Sequence, residues 1–125
     1  MEKALKVAQY IILNYPLREK YSITRLFKLI NIVDVKSMIK YEKPVSDIQD
    51  RYGTKEGVLD FKEALERSSI FEVGKRENWL GVPVSTVDVK SRSDVNNLSE
   101  REKELIDKVM EMSHHMTYNQ LLLNF

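Results

Sequence analysis

The sequence lacks cysteine altogether and contains only four glycines, three prolines and one tryptophan. Without cysteine, the chain can form neither a disulfide framework nor a metal site with thiolate ligands. The scarcity of glycine and proline, with 42% hydrophobic and 31% charged residues, argues against a disordered protein. At 125 residues the chain is long enough for one modest core, and we expect residues 1–125 to form a single domain.

The sequence is also poor in catalytic motifs. Its two histidines, His114 and His115, are adjacent, so on a helix they point about 100° apart and cannot form the i,i+4 pair of a zinc site. There is no glycine-rich phosphate loop and no GxSxG motif. We therefore predict a protein that is not an enzyme and that has no metal and no cofactor.

No apolar run reaches the ~18 residues needed to cross a membrane. The first segment could be mistaken for a signal peptide, but Lys6, Gln9 and Asn14 interrupt it. Its apolar residues recur at helical spacing instead. We therefore expect a cytoplasmic protein without a membrane partner.

Charge is nearly balanced overall, at +1, but it is unevenly distributed along the chain. Met1 to Val45 holds nine basic and four acidic residues, whereas Ser46 to Phe125 holds eleven basic and fifteen acidic residues. One interpretation is two solvated faces of opposite sign. The other is a basic patch that binds an acidic partner.

A long apolar helix is predicted over residues 23–43, with Ser22 or Thr24 as its N-terminal cap and Pro44 as its end. Its apolar side chains cover three sides: Leu26, Ile30, Val33 and Tyr41 the first, Phe27 and Met38 the second, and Ile32, Val35 and Ile39 the third. A helix that is apolar nearly all round is normally the buried centre of a domain.

The remaining segments predict elements that pack around this helix. Helices are indicated at residues 2–14, 56–68, 99–115 and 118–124, and the third of these opens with a Ser99-x-x-Glu102 capping box. Enrichment in β-formers predicts a hairpin at residues 70–89, with its loop at Gly74 to Asn78 and with Pro83 in an edge or bent strand. A loop at 45–53 and a polar linker at 91–97 connect these elements. The predicted class is α+β, mainly α, with about five helices around residues 23–43.

Asp34 is unusual because it falls among the apolar side chains of the central helix. A buried carboxylate requires a cation or hydrogen-bond donors. Asp34 could therefore pair internally with a lysine, an arginine or a tyrosine hydroxyl, or it could contact a partner.

Basic residues gather within roughly 120° of the same helix, interleaved with Leu29, Ile32 and Ile39. Their long stems could cover apolar surface, or their charges could bind an acidic partner or phosphate. These residues are Arg25, Lys28, Lys36, Lys40 and Lys43.

The predicted hairpin tip carries Lys75, Arg76 and Trp79, where a winged-helix protein places its wing. This arrangement is compatible with nucleic-acid binding. However, the net charge is near zero, and the second helix is predicted to be buried rather than presented to a DNA groove.

Several motifs in one order resemble a known family. They are Ile23-Thr24-x-Leu26-x-Lys28-Leu29-Ile30, Val33-Asp34, Lys40-Tyr41-x-x-Pro44, Tyr52-Gly53, Leu98-Ser99-x-x-Glu102 and Met116-Thr117-x-x-x-Leu121. Together they resemble the Panacea antitoxin domain, which has I-T-x-L-x-K-L-L, A-D, K-Y-G-x-P and Y-G-P-V at the first four. Asn31, Glu42 and Thr54 depart from it, replacing an aromatic residue, a glycine and a proline.

The resemblance implies an antitoxin that neutralises a cognate toxin protein by direct binding, with no enzyme activity and no cofactor. It also implies a mainly helical fold with a small sheet. The other hypothesis that the residues leave open is a winged-helix-like regulator from a virus or mobile element that binds nucleic acid.

Overall fold

A computed structural model describes residues 1–48, 54–91 and 97–124 of the chain. These residues form five α-helices and three β-strands, which confirms the predicted α+β, mainly α class. In chain order the elements are α1 (Glu2–Asn14), β1 (Tyr21–Ser22), α2 (Ile23–Tyr41), α3 (Lys55–Arg67), β2 (Phe71–Glu77), β3 (Pro83–Val89), α4 (Glu100–Ser113) and α5 (Tyr118–Asn124). Predicted features at Asp50, at Tyr52-Gly53 and in most of the 91–97 linker lie outside the described residues.

The central helix α2 begins as predicted but ends two residues earlier. The hydroxyl of Ser22 caps its start by accepting a hydrogen bond from the Arg25 N–H at 3.1 Å. At the other end Glu42 adopts a left-handed conformation, with φ of 60°, and its N–H donates to the Met38 carbonyl. Glycine is the residue best suited to that conformation. Glu42 therefore ends the helix before Pro44 is reached.

Packing around α2 covers most of its length but not its C-terminal part. Helices α1, α3 and α4 and the sheet all contact α2. Leu26, Ile30 and Val33 are completely buried among them. Val35, Met38 and Ile39, however, are 48%, 46% and 77% exposed. The prediction that α2 is the buried centre of the domain is therefore wrong for this part, because no described element covers it there.

The sheet has three antiparallel strands in the order β1-β3-β2. β2 pairs with β3 from Phe71 opposite Val89 to Glu77 opposite Pro83. β1 was not predicted, and it pairs with the other side of β3. β3 is consequently the middle strand, so of the two predicted alternatives, an edge strand or a bent strand, the edge strand is wrong. Pro83 is tolerated because it is the first residue of β3, beyond the reach of β1.

The hairpin turn also lies further along the chain than predicted. Gly74 belongs to β2, and the turn is formed by Asn78 to Val82, which we call the hairpin tip. The side-chain carbonyl of Asn78 accepts hydrogen bonds from the Leu80 and Val82 N–H groups at 2.9 and 3.0 Å. Gly81 supplies the positive φ, at 76°, that the turn requires.

Side-chain caps fix where the last three helices begin. Thr54 caps α3 by accepting a hydrogen bond from the Gly57 N–H at 2.9 Å. Ser99 and Glu102 form the predicted capping box at the start of α4. Thr117 and Gln120 exchange the same pair of bonds at the start of α5. These caps confirm the predicted helix starts to within one residue.

Candidate functional site

A groove between α2, α3 and α5 encloses a cavity of about 480 Å³. Its floor is a stripe of α2 residues that recur every three or four positions and so share one face of the helix. The floor residues are Thr24, Phe27, Lys28, Asn31 and Val35. The walls are the α3 cap Thr54, Lys55 and Val58 of α3, and Tyr118 and Leu122 of α5.

The groove opens onto exposed apolar surface. Val35 and Leu122 line it and are 48% and 49% exposed. Met38 and Ile39 follow Val35 at intervals of three and four residues, so the apolar face of α2 continues beyond the groove. Isolated exposed apolar residues are common, but a contiguous set beside a concave surface is typical of a binding site.

Asn31 lies in the groove floor with an unpaired polar atom. The residue is 9% exposed, and its Oδ1 atom has no hydrogen-bond donor among the residues that the structure describes. A buried acceptor without a donor costs about 1–3 kcal/mol of stability. Sequence reasoning noted Asn31 only as a replacement for an aromatic residue, because periodicity cannot show that a polar atom lacks a partner.

Two lysines contribute positive charge to the groove. Lys28 lies half-buried in the floor, and Lys55 is exposed at the first position of α3. No carboxylate is among the described residues that line the groove. Four lysines were predicted on the basic side of the central helix, over residues 23–43, and of these only Lys28 lines the groove. The ammonium group of Lys40 lies 5.4 Å from the Tyr41 ring centroid.

Arg25 connects α2 to the end of α4. One guanidinium nitrogen donates to the carbonyl oxygens of Ser113 and His114, both at 3.2 Å. Burial lowers the pKa of Arg25 from its ordinary value. A cation at a helix C-terminus stabilises the last carbonyls of that helix. The structure therefore gives Arg25 a role in holding the fold together.

Asp34 is completely buried and binds the segment that follows α2. Its Oδ1 atom accepts hydrogen bonds from the Val45 and Ser46 N–H groups at 2.9 and 2.7 Å, and its Oδ2 atom accepts one from the Ser46 hydroxyl. The sequence predicted a partly buried carboxylate that either pairs internally with a lysine, an arginine or a tyrosine hydroxyl or contacts a partner. These three donors come from the chain just after the helix, and two of them are main-chain N–H groups, which side-chain patterns do not predict.

The hairpin carries a second exposed apolar surface. Trp79, Leu80 and Val82 in the hairpin tip are 90%, 64% and 50% exposed. Lys75 and Arg76 lie in β2 rather than at the tip, so their predicted position is wrong. The guanidinium group of Arg76 donates to the Glu19 carbonyl at 3.2 Å. The tip is consequently apolar, and sequence reasoning overlooked Leu80 and Val82.

A cluster of tyrosines joins α1 to α4 on another part of the surface. The hydroxyls of Tyr10 and Tyr15 both donate to the same oxygen of Asp107, at 2.9 Å each. Burial, together with this carboxylate, raises the pKa of Tyr15 to about 12. Because both hydroxyls donate to Asp107, the cluster has a structural role and holds α1 against α4.

Within residues 1–48, 54–91 and 97–124, no group of three histidine, aspartate or glutamate side chains is placed to hold a metal ion. No helix in these ranges is both long enough and apolar enough to cross a bilayer.

Comparisons with known proteins find no relative of the chain. No family model, no curated protein and no solved structure matches the chain.

Proposed function

We propose that the protein is an antitoxin-like module of the cytoplasm that neutralises a toxin protein by binding it directly. The observation that carries the proposal is the groove between α2, α3 and α5, with the exposed apolar residues that extend from it. An exposed apolar face beside a concave surface favours a macromolecular partner.

The chemistry of the two exposed surfaces fits this role. A typical stable interface covers roughly 800 Å² on each partner and is anchored by a few aromatic or aliphatic side chains. The groove offers Val35 and Leu122, and the hairpin tip offers Trp79. The choice of a toxin as the partner rests on the resemblance of several motifs along the chain to the Panacea antitoxin domain.

Nucleic-acid binding receives less support from the same residues. The hairpin tip is apolar, and Arg76 already donates to the Glu19 carbonyl. A wing that binds DNA presents basic side chains to phosphates. DNA binding is therefore the alternative outcome of the co-expression and binding experiments.

The test is co-expression with the product of the adjacent gene in a growth assay. We expect the adjacent product alone to arrest growth, the chain to restore it, and the two purified proteins to form a stable complex. If the adjacent product is harmless, or if rescue occurs without a complex, the proposal fails. DNA affinity that falls steeply with salt and is lost in the Lys75→Ala, Arg76→Ala double variant would support the regulator instead.

A further inference from the structure

We infer that the groove between α2, α3 and α5 receives one amphipathic helix of the partner, apolar on one face and acidic along its flanks. The inference rests on the proposed function and specifies which part of the partner is bound. What carries it is the juxtaposition, in one groove, of exposed apolar side chains, an exposed lysine on the wall and an unpaired buried asparagine oxygen.

The shape of the groove favours a helix over an extended strand. Its floor runs along α2 from Thr24 to Val35, a distance of about 16 Å, which matches about three turns of a helix. Helices form the floor and both walls, so a strand would find no sheet edge to extend there. A helix laid into a groove anchors itself through apolar side chains at positions i, i+3 or i+4, and i+7.

The charge of the groove favours acidic flanks on that helix. Lys55 is exposed on the groove wall, and Lys28 lies half-buried in the floor. Lys55 also opens α3, so the positive end of that helix dipole lies at the same place. Charges of opposite sign on the partner would be attracted, whereas a basic helix would be repelled.

Asn31 gives a second and independent indication of a ligand. Its Oδ1 atom is buried and has no donor among the described residues, although the side chain belongs to the groove floor. A half-turn of the side-chain amide exchanges the positions of its oxygen and nitrogen. A hydroxyl or amide donor on the bound helix could then satisfy the oxygen, so we expect one polar donor within the otherwise apolar face.

The first experiment needs no knowledge of the partner. A displayed library of helix-forming peptides of about four turns is selected for binding to the full chain. We expect the enriched peptides to carry a net negative charge, with apolar residues at i, i+3 or i+4, and i+7. The inference would be overturned if the selected peptides were neutral, basic or extended, or if no peptide were enriched.

Matched variants then locate the binding site of a selected peptide. Val35→Glu should weaken binding at least about tenfold, because it places a charge in an apolar contact. Val82→Glu is its control, since Val82 is equally exposed but lies in the hairpin tip. If Val82→Glu weakens binding as much as Val35→Glu does, the peptide is not in the groove.

A second pair of variants tests the charge. Lys55→Glu should weaken binding of the acidic peptide by about fivefold, the upper end for an exposed ion pair. The variant should fold normally, because a glutamate suits the first turn of α3. Lys108→Glu makes the same charge change on an exposed part of α4 outside the groove lining and should have less than about a twofold effect. Equal effects of the two variants would refute a specific role for Lys55 in the groove.

The outcomes separate this inference from the proposed function. If the chain rescues growth and Val35→Glu still rescues, the protein binds its toxin elsewhere and only the helix-in-groove inference fails. If selected acidic helices bind the groove but no toxin is neutralised, only the antitoxin proposal fails. Concentration-dependent self-association that Val35→Glu abolishes would show that the groove binds a second copy, and would overturn the inference.

Discussion

Replacing Asp34 tests whether one buried carboxylate holds the segment after α2 in place. The Asp34→Ala substitution removes the acceptor of the Val45 and Ser46 N–H groups and of the Ser46 hydroxyl. Val45 and Ser46 are themselves buried, at 5% exposed each, so water cannot readily replace the lost acceptor. The hydroxyl can rotate toward another acceptor, but the two N–H groups cannot.

The expected cost follows from those two N–H groups. A buried donor left without an acceptor costs about 1–3 kcal/mol, so Asp34→Ala should lower the free energy of unfolding by about 2–6 kcal/mol. Asp34→Asn keeps one carbonyl oxygen for both N–H groups, and it should lose about 1–2 kcal/mol. Ser46→Ala removes only the hydroxyl donor and should also cost about 1–2 kcal/mol.

Urea unfolding followed by circular dichroism measures all three variants. The reasoning requires that Asp34→Ala be clearly less stable than Asp34→Asn and Ser46→Ala, with an unchanged dependence on urea. A loss below about 1 kcal/mol for Asp34→Ala would show that the hydrogen bonds to Asp34 do not hold the segment. A partner-binding defect in Asp34→Asn at full stability would instead support the recognition role considered from the sequence.

Three further predictions concern single positions. Glu42→Gly should raise the free energy of unfolding by about 0.5–1 kcal/mol in the same urea assay, because Glu42 has a φ of 60°. A destabilised Glu42→Gly would show that backbone strain is not the dominant effect there. Asn31→Leu should stabilise the free chain by about 1 kcal/mol, because it removes an unpaired buried oxygen. The same substitution should weaken the binding of those selected helices that carry a polar donor. Unchanged stability would mean that the oxygen is satisfied. Burial raises the pKa of Glu102, but the Ser99 N–H and the Lys3 ammonium outweigh it and lower the pKa below 4.5. Its stabilising contribution is therefore present above pH 4.5 and is lost as the pH falls through the lower folded-state pKa. Urea midpoints measured against pH should drop less steeply in Glu102→Gln; equal slopes would contradict the assignment.

Local rules recovered most of the helical architecture from the sequence. The Ser99 capping box, the Thr117 cap and the apolar spacing of α1 and α3 depend on residues a few positions apart, and all were predicted. The existence of a hairpin followed from its β-branched composition. Its turn was misplaced because Gly74 was read as a turn residue, although Asn78 and Gly81 form the turn.

The remaining features depend on residues that are distant in the chain. β1 has only two residues, so it has no periodicity, and it exists because Tyr21 and Ser22 pair with β3. The exposure of Val35 and Ile39 reflects the absence of a described neighbour, which an apolar pattern cannot reveal. The groove combines residues of three helices, and of its lysines only Lys28 could be singled out from the sequence.

The short strand β1 links the two exposed surfaces of the molecule. Ser22 belongs to β1 and also caps α2, while Tyr21 pairs with Val87 in the middle strand of the sheet that bears the hairpin tip. Any displacement of α2 along its axis must therefore either move β3 or break this pairing. We expect the fluorescence of Trp79, the single tryptophan, to change when a ligand fills the groove, even though the two lie on different elements. Binding in the groove would then be detected as a fluorescence change at the hairpin tip.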